Sequence, residues 1–350
     1  MVILVKGISV KSPAQFKSCV KRDESIDFVR GLLMLGVMYG HVVDALFGGL
    51  QHVSIWVHSF VRIYDLPFFM IISGFLLRKS CERHGSIFVV INRIGMLGVP
   101  IVFWTLIRGH INIFGWMYYF LWAILLSGSI CCFVRLISCK LKSEIKVVVE
   151  ITCLLGFVVL FNYINFPWNM FYLFPYFAIG YYLKNCKFDC PKLLLSAIVM
   201  IFVAGLCFWS SAYTPWRLGV NAWTNGISWL SLYRFLLGLL GIVVMNKLFV
   251  ALKNSLAGSP IFPYIVKGGE ESMGLYVLHA ILVSALLKKL CKVFWDSCGR
   301  ISNVNFEYFI AYVIAPIITC LFFITILRSI KLIKQASWLR WTLGIKFVRG

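Results

Sequence analysis

Charge is scarce in this sequence, and negative charge scarcest. Only 13% of its 350 residues are Asp, Glu, Lys or Arg, with 13 acids against 34 bases. The hydrophobic share is 61%, well above the roughly 45–50% apolar usage of a soluble domain, so an ordinary soluble fold is excluded. The bases stand in short clusters between apolar runs, not in one stripe, which disfavours nucleic acid as a partner. Other signatures are missing as well. The sequence has no Cys-x-x-Cys, no His-Glu-x-x-His, no Gly-x-Gly-x-x-Gly opening a helix, no P-loop and no Gly-x-Ser-x-Gly elbow. Metal, nucleotide-hydrolysing and serine-hydrolase chemistry are therefore disfavoured. Most of the twelve cysteines lie in or beside apolar runs and read as small hydrophobes. Cys291 and Cys298 share an expected external loop and are candidates to pair. No small-residue cleavage signature follows the first apolar run, so that run is expected to stay in the mature protein.

Long apolar runs are what the chain does have. A helix needs roughly 20 apolar residues to cross about 30 Å of hydrocarbon, and by that measure the sequence predicts an all-α, polytopic transmembrane bundle of about ten spans. The spans fall near Asp27–Phe47, Val53–Leu77, Ile87–Ile107, Phe114–Ile137, Ile145–Phe161, Trp168–Leu183, Leu193–Ser211, Ile227–Leu248, Ser272–Leu290 and Phe306–Leu327. Lys and Arg concentrate in the alternate loops and in both tails, which places both termini in the cytoplasm. Lys288, Lys289, Lys292 and Arg300 are the exception, clustering on the expected outer side. The organisation expected is a basic tail over 1–26, one integral-membrane domain over 27–330 and a second basic tail over 331–350.

Ionisable groups at membrane depth are costly and usually face a cavity, so function is sought there. Arg30 and His41 share the first run, eleven residues and about 16 Å apart, on nearly the same helical face. Asp44, one turn beyond His41, is placed to steady an imidazolium. Asp65 precedes Pro67 in the second run, where a loosened helix points to a polar pocket, with Arg62 as an alternative ion-pair partner. Arg93 opens the third run on the same side as Arg30, and two guanidinium groups there suit phosphate. Tyr276 and His279 lie in the ninth run. Trp116, Tyr118, Tyr119, Trp122, Trp168, Tyr172 and Tyr176 read first as an aromatic belt at the membrane surface, with sugar stacking as the alternative.

Taken in order, these residues resemble the integral-membrane acyltransferase family 3, which includes bacterial surface-polysaccharide O-acetyltransferases. Asp27-x-x-Arg30-Gly31 followed by His41 is similar to its first-helix Arg-x10-His signature. Pro67-Phe68-Phe69-x-x-x-Ser73-Gly74-Phe75 resembles its second-helix Pro-x-Phe-Phe-x-x-Ser-Gly pattern. Arg93 with Pro100, Trp116-x-Tyr118 and Tyr276-x-x-His279 resemble three further segments. A second Arg common in the family is here Met96, leaving Arg78 as a substitute cation. The resemblance implies transfer of an acetyl group from acetyl-CoA to a hydroxyl of a cell-surface glycan such as lipopolysaccharide O-antigen, in a bacterial inner membrane, with no metal. Catalytic roles fall to His41 as base, with Asp44 or Asp65 supporting it. Arg30, Arg93 and Arg78 take the coenzyme, and Ser73, Trp116, Tyr118, Tyr276 and His279 line the pocket. An acyl-imidazole relay through His41 is an alternative route. A lipid-linked oligosaccharide transporter or flippase is the alternative function.

Overall fold

The computed structural model describes residues 22–47, 56–107, 118–163, 170–183, 191–208, 229–298 and 304–344. Trp116 and Trp168 lie outside them. Among the described residues the fold is all helical. Asp23 caps α1 (Glu24–Leu46), its carboxylate accepting from the Ser25 amide at 3.0 Å, and Glu24 and Asp27 add negative charge where the helix dipole is positive. Then follow α2 (Trp56–His84), α3 (Ser86–Ile107), α4 (Tyr119–Ser138), α5 (Ser143–Tyr163), α6 (Met170–Tyr182), α7 (Lys192–Cys207) and α8 (Trp229–Leu256). A short helix α9 (Phe262–Glu270) leads into α10 (Ser272–Ile281), α11 (Lys288–Cys298) and α12 (Asn305–Gln335). Among the described residues, six stretches are long and apolar enough to cross a membrane: Glu24–Leu46, Phe60–His84, Ser86–Ile107, Tyr119–Ser138, Leu232–Leu256 and Asn305–Gln335. Large apolar side chains such as Phe88, Ile91, Val148, Leu155, Met200, Ile317 and Leu321 point outward from α3, α5, α7 and α12, a surface suited to lipid.

Two close helix approaches build the centre. A Cβ on Gly74 of α2 would sit 2.1 Å from the Phe177 carbonyl oxygen of α6, and one on Gly180 of α6 would sit 2.0 Å from the Ile71 oxygen. Across α1 and α9, a Cβ on Gly31 would meet the Ile265 oxygen at 2.0 Å, and one on Gly269 the Asp27 oxygen at 1.7 Å. Small residues let backbones approach this closely, the main route to tight packing where no water is expelled between helices. At the α1–α9 end, Arg22 pairs with Asp27, Lys334 with Glu271, and Lys267 with Glu270 at 2.6 Å. The Lys267 hydrogen bond holds the Glu270 carboxyl below its ordinary value, and Glu270 in turn raises Lys267. A lowered carboxyl contributes stability above the ordinary carboxylate range and loses it as the pH falls through that range, so acid loosens this corner.

The structure redraws several expectations. Each apolar run holds a helix, but α2 runs on to His84, placing Arg78 inside a helix instead of a loop. The stretch before the ninth run, read as a loop, holds α9. Tyr118, Tyr119, Tyr172 and Tyr176 are buried in the bundle and not spread at its surface, because each ring packs between helices. Cys291 and Cys298 both lie on α11, seven residues and about 10 Å of rise apart, beyond the reach of a disulfide. The last helix continues to Gln335, and the turn Ser337–Leu343 folds back on α3, with the Trp104 indole donating to the Thr342 carbonyl at 2.8 Å.

Gly180→Ala should lower the stability of the detergent-solubilised protein by about 1–3 kcal/mol, read as a fall in the thermal midpoint of monodisperse protein. Gly156→Ala, inside a helix where a Cβ meets open space, should not lower the midpoint and should raise it slightly.

Candidate functional site

Four helices converge on a small cleft lined by polar and apolar side chains. Val37, Gly40 and His41 of α1, Arg62, Asp65 and Leu66 of α2, Tyr119 of α4 and Tyr276 of α10 form its wall. Local sequence explains why polar atoms collect there. Gly40 leaves room beside His41, and Pro67 lacks the N–H that would have bonded the Ile63 carbonyl one turn back. Leu66 donates its amide to Asp65 at 2.6 Å, holding the carboxylate of this buried residue at the wall. Asp44, expected to steady His41, forms an ion pair with Arg62, which joins α1 to α2 at the edge of the cleft.

Behind His41 stands a second imidazole. The His41 and His279 rings lie 5.2 Å apart, tilted by 40°, and Tyr276 meets His279 edge-on at 5.1 Å. His279 is fully buried, and its Nδ1 lies 3.1 Å from the Leu275 carbonyl. A carbonyl oxygen only accepts, so Nδ1 carries the hydrogen, and in the neutral ring Nε2 keeps a free lone pair. Directly after His279 the helix widens into a π turn over Leu282–Leu287, a distortion frequent at functional sites.

The cations occupy a separate level. Arg30 reaches across to α10, donating to Ser272 Oγ at 2.5 Å and lying 3.5 Å from Asp27. Ser272 to His279 is seven residues and Arg30 to His41 eleven, so the Arg30 level lies about 10–16 Å from the imidazoles along the bundle. Arg93 belongs to the same region, close enough for its charge to act on Arg30. Its guanidinium lies 3.3 Å from where a Cβ on Gly128 would stand, so the missing side chain makes room for it. Arg93 donates to the Ser73 carbonyl at a long 3.5 Å, which brings Ser73 to this level and not into the cleft. Another π turn, Ile94–Gly98, follows Arg93 and leaves Met96 exposed. Arg78 bonds Glu82 at 2.6 Å and lies over the Tyr181 ring, further from the cleft again.

The structure thus brings together His41, Asp65, Tyr276 and His279, with Asp44 at the edge through Arg62. It sets Arg30, Arg93 and Ser73 on a second level and Arg78 beyond. Tyr118 is buried beside the cleft, its neighbour Tyr119 being the one that lines it. Trp116 lies outside the described residues. Sequence reasoning missed Arg62 as a member of the wall, although its position one turn before Asp65 puts both on one helical face. It read Tyr119 first as a belt residue and gave Ser272 no role, and no spacing in the sequence joins residue 272 to residue 30.

The acyltransferase domain family matches residues 23–325. Nodulation protein NolL of Sinorhizobium fredii (strain NBRC 101917 / NGR234) is 28% identical over 105 residues, covering 28% of this chain and 28% of that protein. The chain thus aligns with under a third of the length of this curated relative. No solved structure matches.

Access to the cleft is testable without any substrate. In purified protein, His41→Cys should be modified by a small water-soluble thiol reagent, read by mass spectrometry of the labelled peptide. Met38→Cys, at a fully buried position of the same helix, should stay unmodified.

Proposed function

This chain belongs to the acyltransferase domain family, and from that premise we propose that it is an O-acetyltransferase acting from acetyl-CoA on a hydroxyl of a cell-surface glycan. The membership makes it an acyltransferase, and its long apolar helices make it a membrane protein. The finer reading is of a bacterial inner-membrane enzyme whose acceptor is a polysaccharide repeat such as lipopolysaccharide O-antigen, presented on a lipid carrier.

One observation carries this reading: His41 stands in the wall of a cleft within the bundle, backed by a second imidazole and flanked by Asp65 and Tyr119. An alcohol is a poor nucleophile until its proton is removed, and an imidazole is suited to that task near neutral pH. His41 takes the hydroxyl proton as the acceptor oxygen bonds to the acyl carbon, and returns it to the sulfur that departs. Asp65 and the His41–His279 contact favour the imidazolium while it exists. Tyr119 and Tyr276 offer rings and hydroxyls to a sugar.

The residues also fit an anionic donor. Arg93 is a partly buried cation whose described partner is one long bond to a backbone carbonyl, so its guanidinium retains donors for phosphate oxygens. Arg30 presents the same chemistry on the same level, held by Ser272 and Asp27. Both hold a phosphorylated thioester by its charged end and orient its acyl end toward His41.

With labelled acetyl-CoA and isolated glycan, wild-type membranes should transfer label to the glycan. His41→Ala, accumulating normally, should transfer at least about 100-fold less. Retained transfer by that variant removes His41 from the mechanism. Glycan moved across the bilayer with no label on it favours transport instead. Arg93→Gln should raise the KM for acetyl-CoA by about tenfold, as expected for one charge-assisted contact.

A further inference from the structure

Beyond Arg93 a further cation cluster lies at the far end of the bundle from the cleft, where α2, α4, α5 and α6 meet. The sequence reading gave Arg135 no role. The contacts Phe69–Phe120, at 5.9 Å, and Cys81–Cys132, at 3.4 Å between sulfurs, keep one offset between α2 and α4, so the two helices run parallel. Arg78 lies one turn before Cys81, and Arg135 one turn after Cys132. Their side chains meet around Tyr181 of α6. The Arg78 guanidinium carbon lies 5.3 Å from that ring's centre, and Arg135 stands against its hydroxyl. The charges of Arg93 and Arg135 both bear on the Cys81 thiol.

This cluster is short of acceptors. Arg135 Nη1 and the Tyr181 hydroxyl are buried and find no hydrogen-bond partner among the described residues. Tyr181 is 1% exposed. The acids nearby are engaged already. Glu150 accepts from Ser138 at 2.6 Å and from Tyr182 at 2.7 Å, and Glu82 accepts from Arg78. A buried guanidinium edge and a buried hydroxyl, both donors and both unsatisfied, call for an acceptor from outside the chain. Arg78 is one-third exposed, so an anion can reach the cluster from the membrane surface.

We propose that Arg78 and Arg135, with the Tyr181 hydroxyl, form a phosphate site that grips the 3′-phosphate at the adenosine end of the coenzyme-A donor. The inference rests on the donor proposed above and adds the part of it that is read. A phosphate monoester has the charge and the oxygens to satisfy two guanidinium groups and a hydroxyl together. The distance fits a long donor. Arg78 to Asp65 is thirteen residues of one helix, about 20 Å of rise, with Arg93 and Arg30 between. The cations therefore form a track from the inner rim towards His41, phosphate end first and acyl end last. The same phosphate chemistry is found on an anionic lipid headgroup, so the experiment separates the two sources.

Purified wild-type protein should bind adenosine 3′,5′-bisphosphate, measured by calorimetry. Arg135→Gln should bind it about tenfold more weakly or worse, and Tyr181→Phe, which removes one hydroxyl, several-fold more weakly. Arg135→Lys should recover part of the loss. In transfer assays the wild type should favour acetyl-CoA over acetyl-dephospho-CoA, which lacks the 3′-phosphate alone, and Arg135→Gln should level the two through KM. Bisphosphate binding that is absent, or unchanged in Arg135→Gln, overturns the site. So does native mass spectrometry in which wild type retains phosphatidylglycerol, Arg135→Gln does not, and neither binds the nucleotide. Arg135-dependent binding in a protein that transfers no acyl group upholds the site and sinks the acetyltransferase reading instead.

Discussion

A charged or polar side chain placed inside a membrane bundle has no water to answer it, so the protein must answer it from another helix. Much of this architecture follows from that constraint. Arg30 is met by Ser272, 242 positions away in the chain, Asp44 by Arg62 and Glu150 by Ser138 and Tyr182. Each pairing ties two elements at a fixed height, because an unanswered group would cost several kcal/mol in hydrocarbon. The glycine contacts at Gly31, Gly74, Gly180 and Gly269 fix two further helix pairs, α1 with α9 and α2 with α6, by letting their backbones touch.

The consequence is a layered interior. Imidazoles, Asp65 and two tyrosines gather at one depth, Arg30 and Arg93 at the next, and Arg78 with Arg135 beyond them. Such a gradient suits a reaction whose one substrate is long, thin and anionic at one end and whose chemistry takes place at the other. Arg62 is the arginine that shares the cleft wall with His41, and there it pairs with Asp44. π turns follow Arg93 and His279 directly, so two of the polar residues sit where the helix hydrogen-bond ladder is already disturbed.

Much of this was legible beforehand because the signals are local. Arg30 and His41 share a face by helical periodicity alone, and Pro67 beside Asp65 marks a loosened turn. The family resemblance, drawn from five short motifs, agrees with the match over residues 23–325. The failures also have a common cause. Tyr118, Tyr119, Tyr172 and Tyr176 satisfy the composition of a membrane-surface belt, yet their rings fill the bundle, since composition does not say which way a helix face turns. The i, i+3 spacing sets Asp44 one turn from His41, and what it could not show is that Arg62 of the facing helix forms an ion pair with Asp44.

What the sequence determined by itself is the solvent of this protein and the inventory of its site. Apolar runs, a 34 to 13 imbalance of bases over acids and a handful of ionisable residues within those runs require lipid around a helical bundle. Helical periodicity, being local, also carried the face that each of those residues occupies. Which helix each residue then meets was decided by the tertiary structure alone. The partner of a buried polar group is chosen by helix crossings, and a crossing depends on small residues far apart in the chain whose contacts leave no pattern in either segment read singly.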